Sequence, residues 1–214
     1  PHLADSDPVR AFRRYLAHAR HYCRENEPFF AITHGVSGTG KSTIAGSLVA
    51  ASGAVRIRSD VERKRLFGLA PEERSRHEDE TALYSKAMSR RTFDRLASLA
   101  ASVVAAGFPV IVDATFLHRA VRDRFRALAA ELDVPFIIID CIAPAQLLRA
   151  RLLKRERQGR DASEAGVAVM EKQLETDQPL AGEELPHRLP AESGEDGDAL
   201  LARCRELCRA LESG

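Results

Sequence analysis

The sequence predicts an α/β fold, in which helices cover both faces of a parallel β-sheet. Short apolar runs rich in Val, Ile and Phe alternate with longer stretches of helical periodicity through most of the chain. The run Phe136–Ile139 contains no polar residue, as expected for a strand that is covered on both faces. A glycine-rich loop lies between the first apolar run and the helix that follows, which completes a strand–loop–helix unit.

Strands are expected where short apolar, β-favouring runs end at a turn-forming or acidic residue. They are predicted at residues 29–34, 54–59, 110–113, 136–141 and 187–190. The last of them has the weakest pattern. Because the runs are separated by helical segments, the strands are expected to lie parallel in one sheet.

Helices are expected where apolar residues recur at helical spacing between those strands. Pro8 and Pro144 suit first turns, Ser163 suits an N-cap, and Gly107 and Gly159 suit a helix end or a break. The predicted helices span residues 8–25, 44–51, 61–69, 80–106, 118–132, 144–157, 163–176 and 198–212.

Composition limits the organisation and the classes of partner. The 214 residues suffice for one α/β domain, expected at residues 29–214 after an N-terminal helix or connector at residues 1–28. The net charge of +1 gives no bulk attraction to nucleic acid or to a membrane surface. Cys204 and Cys208 are predicted to pack on a helix face rather than to bind zinc or form a disulfide. No signal peptide or apolar run of membrane-spanning length is recognisable, so a cytoplasmic location is expected.

The segment from Gly35 to Ser42 matches the pattern G-x-x-x-x-G-K-[ST] of a Walker A phosphate-binding loop. Its glycines allow backbone N–H groups to surround phosphate oxygens at a helix N-terminus. Lys41 is expected to reach the β- and γ-phosphates of ATP, and the Ser42 hydroxyl to coordinate Mg²⁺. The residues expected to bind the nucleotide are Gly35, Ser37, Gly38, Thr39, Gly40, Lys41, Ser42 and Thr43. The alternative is a glycine-rich turn without a ligand.

Asp60 follows the second predicted strand, at the edge of the sheet where ligands bind in open α/β folds. Its carboxylate is expected to accept the proton of a substrate hydroxyl, as a catalytic base. Arg63, one helical turn later, is expected to hold the acceptor or the γ-phosphate. The alternative for Asp60 is that it only caps the helix at residue 61.

Asp113 ends the apolar run that begins at Val110, a pattern similar to a Walker B strand. Its carboxylate is expected to hold Mg²⁺ directly or through water, with Thr115 as a polar neighbour. The alternative is an aspartate that only stabilises a turn. Asp140 also follows an apolar run, but it is expected on the other side of the loop strand and in a structural role.

A group of arginines surrounds the break at Gly159. Its members are Arg149, Arg151, Arg155, Arg157 and Arg160. Helices that flank a glycine break are typical of a lid that closes over ATP, here at about residues 150–162. Arg151 is assigned to nucleotide binding and Arg155 to catalysis, and the alternative is a solvated basic helix face. Three further arginines are expected at the surface, with Arg122 the strongest exception: Arg119, Arg122 and Arg124.

Together, residues 35–43, 58–69, 110–116 and 161–165 resemble P-loop kinase-like domains named AAA-family ATPases. These domains often form the C-terminal half of bifunctional aminoglycoside phosphotransferase/ATP-binding proteins, and the resemblance covers roughly residues 29–190. More distantly, the chain is similar to polynucleotide kinases, gluconate kinases and zeta toxins. The resemblance implies a P-loop NTPase fold with strand order 2-3-1-4-5 and a mobile lid. It also implies that Asp60 acts on the acceptor hydroxyl beside Arg63, and that a phosphotransferase-like domain precedes Pro1.

We therefore expect an ATP- and Mg²⁺-dependent kinase that phosphorylates a hydroxyl of a small molecule. The acceptor pocket is expected to involve residues 61–90 and 115–125. One alternative is a polynucleotide 5′-hydroxyl kinase, which the near-neutral charge disfavours. The other is a nucleotide-binding regulatory module of a larger two-domain protein, with little transfer activity of its own.

Overall fold

A parallel sheet forms the centre of the fold in a computed structural model that describes residues 7–22, 27–73, 75, 81–158 and 167–213. Within these residues the sheet has five strands in the order β2-β3-β1-β4-β5, and every neighbouring pair is parallel. The strands are β1 (Phe30–His34), β2 (Val55–Arg58), β3 (Val110–Asp113), β4 (Phe136–Ile142) and β5 (Arg188–Glu192). The predicted fold class and strand order are confirmed.

Helices cover both faces of this sheet. The helices in the described residues are α1 (Asp7–Tyr22), α2 (Lys41–Ser52), α3 (Ser59–Phe67), α4 (Lys86–Ala105), α5 (Arg119–Glu131), α6 (Ala145–Gln158), α7 (Val167–Thr176) and α8 (Gly197–Glu212). Of these, α1 is largely exposed and is not part of the apolar layers on the sheet. A 3₁₀ helix, Gly182–His187, precedes β5. Within the described ranges, no helix is long and apolar enough to span a membrane.

Two predicted boundaries are wrong near the site. The long helix predicted at residues 80–106 is interrupted at Ser85, whose hydroxyl caps α4 by accepting a hydrogen bond from Met88 N (3.2 Å). The second strand was predicted to run to residue 59, but α3 already begins at Ser59. Asp60 therefore lies in the first turn of a helix. The helix predicted at residues 8–25 ends at Tyr22, and residues 23–26 lie outside the described part of the chain.

The central strand β1 alternates its side chains between two apolar layers, as the two-residue period of a strand requires. Phe30 and Ile32 pack with the buried residues of α4 and α5. Ala31 packs with α2 and α8, where Cys204 is fully buried. Cys204 and Cys208 both pack in this layer from α8, as predicted for a helix face.

A third, smaller apolar cluster packs α6 and α7 beside the glycine-rich loop. It consists of Val36, Leu117, Leu148, Leu152 and Met170. The cluster joins the loop and the segment after β3 to α6 and α7. It thereby places side chains of both helices next to the loop.

Candidate functional site

The glycine-rich loop leaves β1 and enters α2 in a conformation that glycine alone accommodates easily. Gly35 and Gly40 have φ angles of 129° and 94°. A Cβ atom on Gly35 would lie 2.8 Å from the carbonyl oxygen of Cys141, and one on Gly40 would lie 2.7 Å from Ser193 Cβ. The glycines at these two positions are thus required by the shape of the backbone.

Lys41 folds back over this loop. Its Nζ donates to the carbonyl oxygens of Gly35 (2.9 Å) and Val36 (2.7 Å). The buried hydroxyl of Thr39 also donates to Val36 O (2.9 Å). These bonds hold Lys41 and Thr39 in place against the loop.

Asp113 is buried at the carboxyl end of β3, beside the start of α2. Its Oδ2 accepts from the Ser42 hydroxyl (3.0 Å) and from Arg56 Nε (3.0 Å). Thr33 Oγ1 lies 3.5 Å from Oδ1. The sequence predicted the Asp113 carboxylate but not its partner Arg56, since no motif marks a β2 residue as a partner for β3.

The Ser42–Asp113 pair suits Mg²⁺ chemically. A hydroxyl and a carboxylate are hard oxygen ligands, and Mg²⁺ in phosphate sites takes its other ligands from phosphates and water. The described residues contain no group of three or more His, Cys, Asp or Glu side chains placed to bind a metal.

Asp60 is half-buried in the first turn of α3, facing the same space as Asp113. The alternative that Asp60 only caps a helix at residue 61 is wrong, because the N-cap residue is Arg58. Burial raises the pKa of the Asp60 carboxyl, and the negative charge of Asp113 raises it further. The cations Arg58, Arg63 and Lys41 oppose this pKa shift without cancelling it.

Arg63 is buried one turn along α3, with 9% of its surface exposed. Its Nη1 donates to Leu83 O (3.2 Å) and to the Ser89 hydroxyl (3.2 Å), and its guanidinium carbon lies 5.2 Å from the centre of the Tyr84 ring. Burial lowers the pKa of Arg63, and the charge of Asp60 partly offsets that. Residues on both sides of the break at Ser85 thus orient this guanidinium.

The lid arginines differ in position. Arg151 of α6 reaches the loop, where its Nη1 donates to the carbonyl oxygens of Gly38 (3.3 Å) and Thr39 (3.2 Å). Arg149 is exposed and pairs with Glu171 (2.7 Å). The other three arginines of the predicted group cannot be placed at the site. The side chains of Arg155 and Arg157 lie outside the described part of the chain, and so does the whole of Arg160. The same holds for residues 159–166 of the predicted lid.

Gln173 of α7 is a loop contact that the sequence analysis missed. Its Oε1 accepts a hydrogen bond from the backbone N–H of Ser37 at 2.8 Å, although the two residues are 136 apart in the chain. In a phosphate-binding loop, an N–H group at this place is a donor for a phosphate oxygen. A lone glutamine on a helix carries no sequence signal for such a contact.

On the other side of β1, His34 and Asp140 form a separate buried group. His34 Nδ1 lies 2.9 Å from Asp140 Oδ1, and Arg188 Nε donates to Asp140 Oδ2 (2.7 Å). Although burial works to raise the pKa of Asp140, the hydrogen bonds from His34 and Arg188 hold it below its usual value. This pairing agrees with the structural role expected for Asp140.

A cavity of about 630 Å³ unites these features. One side is formed by residues of the loop, the start of α2, α6 and α7: Ser37, Gly38, Gly40, Lys41, Ser42, Thr43, Arg151, Leu152, Val169, Lys172 and Gln173. The other is formed by Ser59, Asp60, Arg63, Thr81, Tyr84, Phe93, Asp113, Ala114 and Thr115. Gly35 and Thr39 do not line the cavity. A phosphate bound by the loop would therefore share a cavity with the Asp60 carboxylate.

Comparisons with known proteins agree with this architecture. The family described as "AAA domain" matches residues 30–180. The chain is similar to a gluconokinase from Sinorhizobium meliloti 1021 (20% identity, 88% of this chain and 98% of that chain, TM-score 0.60). It is similar to a sugar kinase from Janibacter sp. HTCC2649 (19% identity, 84% and 94%, TM-score 0.58). A third similar structure is the Mycobacterium tuberculosis APS kinase in complex with AMPPNP and APS (19% identity, 86% and 98%, TM-score 0.57).

At these identities the solved structures establish a shared P-loop kinase fold and nothing finer. No curated protein sequence matches the chain.

Proposed function

The chain belongs to the AAA domain family, and on that premise we propose that it is a kinase that transfers the γ-phosphate of ATP to a hydroxyl of a small molecule. One observation carries the proposal. The Asp60 carboxylate and the Arg63 guanidinium line the same cavity as the phosphate-binding loop. A protein that only binds or hydrolyses a nucleotide has no need of a second, polar compartment beyond the γ-phosphate. The names of the three similar structures, all kinases, support the same reaction class.

On the donor side, backbone N–H groups of the loop and the N-terminus of α2 bind the phosphates. Lys41 exchanges its carbonyl partners at Gly35 and Val36 for β- and γ-phosphate oxygens. Arg151 already touches the loop, and it adds positive charge where the phosphoryl group is transferred. Ser42 and Asp113 would hold Mg²⁺, which when bound neutralises phosphate charge, and Arg56 keeps the Asp113 carboxylate oriented.

On the acceptor side, Asp60 receives the proton. The acceptor hydroxyl oxygen forms a bond to the γ-phosphorus as the bond between that phosphorus and the β–γ bridging oxygen breaks, and ADP leaves. The hydroxyl proton passes to the Asp60 carboxylate, so that the products are a phosphate ester and ADP. Because burial raises the pKa of Asp60, its carboxylate is a better proton acceptor than that of an exposed aspartate.

The proposal is tested by replacing Lys41. We expect Lys41→Met to lower ATP affinity and ADP formation by roughly 100-fold or more, because the charge next to the phosphates is lost. ATP binding is measured by calorimetry, and ADP formation is measured with a panel of small polyols and a single-stranded oligonucleotide. Lys86→Met, on the exposed start of α4, is the matched control and should behave as the unaltered protein.

An ATP turnover that survives in Lys41→Met contradicts the proposed function. Phosphorylation of the oligonucleotide in preference to every polyol would contradict the small-molecule acceptor and favour a polynucleotide kinase.

A second prediction concerns Gln173. We expect Gln173→Glu to weaken ATP binding about tenfold or more, because a carboxylate placed 2.8 Å from Ser37 N takes up that N–H and repels the phosphates. Gln173→Ala should leave ATP affinity within a few-fold, since it only frees the loop N–H. Calorimetric titration with ATP distinguishes the two variants.

The matched control for this change is Gln178→Glu. Gln178 also accepts a backbone hydrogen bond, from Arg119 N (2.7 Å), but it does not line the cavity. If Gln173→Glu and Gln178→Glu weaken ATP binding equally, the cause is the added negative charge in general and not the contact with Ser37.

A further inference from the structure

His34 ends β1, directly before the phosphate-binding loop, and its buried side chain lies between two carboxylates. Its Nδ1 is 2.9 Å from Asp140 Oδ1 on β4, and its Nε2 is 3.3 Å from Oδ1 of Asp177, the residue that follows α7. His34 Nε2 and Asp177 Oδ1 are both buried, and neither has a hydrogen-bond partner among the described residues. Each atom can serve as the partner of the other only if a proton lies between them.

The geometry of this group favours the doubly protonated ring of His34. A neutral imidazole has one N–H, and its other nitrogen is an acceptor. Although burial works to raise the pKa of Asp140, the hydrogen bonds from His34 and Arg188 hold it below its usual value, so this carboxylate needs the proton on Nδ1. A neutral His34 would then direct the lone pair of Nε2 at the Asp177 carboxylate. An imidazolium instead donates to both carboxylates.

Other titratable groups near the loop do not replace this proton. Arg188 of β5 donates to the second oxygen of Asp140 (2.7 Å). Burial raises the pKa of the Cys141 thiol on β4 to about 12, so the thiol stays neutral where a histidine titrates. Two further charged groups have partners of their own: Lys41 with the carbonyl oxygens of Gly35 and Val36, and Asp113 with Arg56.

Asp177 connects His34 to a helix on the ATP side of the cavity. Three side chains of α7 lie at the loop or the cavity: Gln173 accepts from Ser37 N, Met170 packs in the apolar cluster beside the loop, and Lys172 lines the cavity. Asp177 lies one residue beyond the end of this helix. Its contact with His34 therefore attaches the carboxyl end of α7 to the central strand.

We propose that His34 is a positioning residue, whose imidazolium form holds Asp177 and thereby keeps α7 in place on the ATP side of the cavity. The role in ATP binding rests on the proposed function. An imidazolium ordinarily loses its proton between pH 5 and 8, so the attachment is complete at low pH and weakens as the pH rises. The strength of a hydrogen bond between charged groups predicts roughly tenfold more frequent opening of α7 in the neutral form.

Hydrogen exchange of the full chain at pH 5.5 and 8.5 measures this opening directly. After correction for the intrinsic exchange rate at each pH, we expect α7 to open roughly tenfold more often at pH 8.5, with α8 unchanged as the internal reference. Calorimetry should show several-fold weaker ATP binding at the higher pH. Affinity is measured rather than the transfer rate, because that rate also depends on the protonation of Asp60.

Two variants test whether the pH dependence comes from this contact. In Asp177→Asn, the side-chain amide can donate to Nε2 of a neutral imidazole, so α7 should stay as protected at pH 8.5 as at pH 5.5 and bind ATP more tightly there than the unaltered protein. His34→Gln has no titrating ring, so the opening of α7 should be equal at both pH values. His118→Gln is the matched control, because His118 is exposed and makes no side-chain capping bond to α5.

Exchange of α7 that is independent of pH in the unaltered protein, or that rises in parallel with exchange of α8, overturns the inference. So does a pH dependence that persists in His34→Gln or Asp177→Asn, and so does an ATP affinity that is constant while α7 opens. Either variant decides the question if the other does not fold. Failure of the unaltered protein to bind ATP at both pH values contradicts the proposed function, whereas exchange of α7 still decides whether His34 holds Asp177.

Discussion

Asp60→Asn is expected to lower the rate of phosphoryl transfer by about 10²- to 10⁴-fold and to leave ATP affinity within a few-fold. The reason is that the neutral amide of an asparagine side chain cannot accept the acceptor proton, whereas the loop that binds the phosphates is unchanged. The measurement is single-turnover transfer from ATP to the best acceptor of the polyol panel. Thermal stability should not fall, because the change removes a negative charge that burial and Asp113 disfavour.

The pH dependence of this rate provides a second readout. Burial and the charge of Asp113 raise the pKa of Asp60 above the ordinary value of about 3.9. Only the deprotonated carboxylate accepts a proton, so the rate should fall as the pH falls through this raised pKa. In Asp60→Asn the slow residual rate should lack that acidic limb.

The matched control for Asp60 is Asp94→Asn. Asp94 is exposed on α4 and pairs with Arg124, which is also exposed. We expect this variant to transfer the phosphoryl group at the same rate as the unaltered protein. A full transfer rate in Asp60→Asn would overturn the assignment of the base.

Arg122→Met is expected to lower the free energy of unfolding by about 3–5 kcal/mol. Arg122 and Glu184 are each 1% exposed, and Arg122 Nη2 donates to Glu184 Oε2 at 3.0 Å beside a second bond from Nε. The remaining Nη1 donates to Phe116 O (2.9 Å) and Leu117 O (3.0 Å). Methionine would leave a buried carboxylate and two carbonyls without their donors. Urea unfolding measures the change.

A double-mutant cycle tests whether the pair is responsible. Glu184→Gln removes the negative charge that Arg122→Met leaves unpaired, and the glutamine oxygen can still accept from Ala181 N. The double variant Arg122→Met/Glu184→Gln should therefore be more stable than Arg122→Met alone. The matched control is Arg124→Met, whose exposed pair with Asp94 should contribute less than about 1 kcal/mol. A loss below about 1 kcal/mol in Arg122→Met would contradict the prediction.

This stabilisation also depends on pH in a defined direction. Burial works to raise the pKa of Glu184, but the hydrogen bond from Arg122 holds it below its usual value. The contribution is therefore complete above the ordinary glutamate pKa of about 4.3, and it is lost as the pH falls through the lower pKa of the folded state. In Arg122→Met this acid sensitivity should largely disappear.

Much of the donor half of the site follows from local sequence. The residues from Gly35 to Ser42 are contiguous. Their backbone shape needs glycine at Gly35 and Gly40, because a Cβ atom at either position would collide with neighbouring atoms. Asp113 was also predictable, because it directly follows a short apolar run. The carboxyl end of this strand lies at the same edge of the parallel sheet as the end of β1, where the loop begins.

The acceptor half was less accessible to sequence reasoning. The region 61–90 was expected to contribute, and Arg63, Thr81 and Tyr84 do line the cavity. The orientation of Arg63 nevertheless depends on the break at Ser85, which the helical periodicity of residues 80–106 concealed. Helical period alone does not reveal a serine that caps a new helix within an apparently continuous pattern.

The sequence by itself determined the fold class and the loop, because both are encoded in residues close together in the chain: strand periods, glycine positions and a lysine–serine pair. Tertiary structure decided which distant side chains pair with one another, at the site and in the interior. Gln173 reaches Ser37 across 136 residues, Arg122 reaches Glu184 across 62 and Arg56 reaches Asp113 across 57. Such contacts depend on which strands are neighbours in the sheet and on how the helices pack on it. Side-chain types that are common on protein surfaces become paired charges when these contacts bury them.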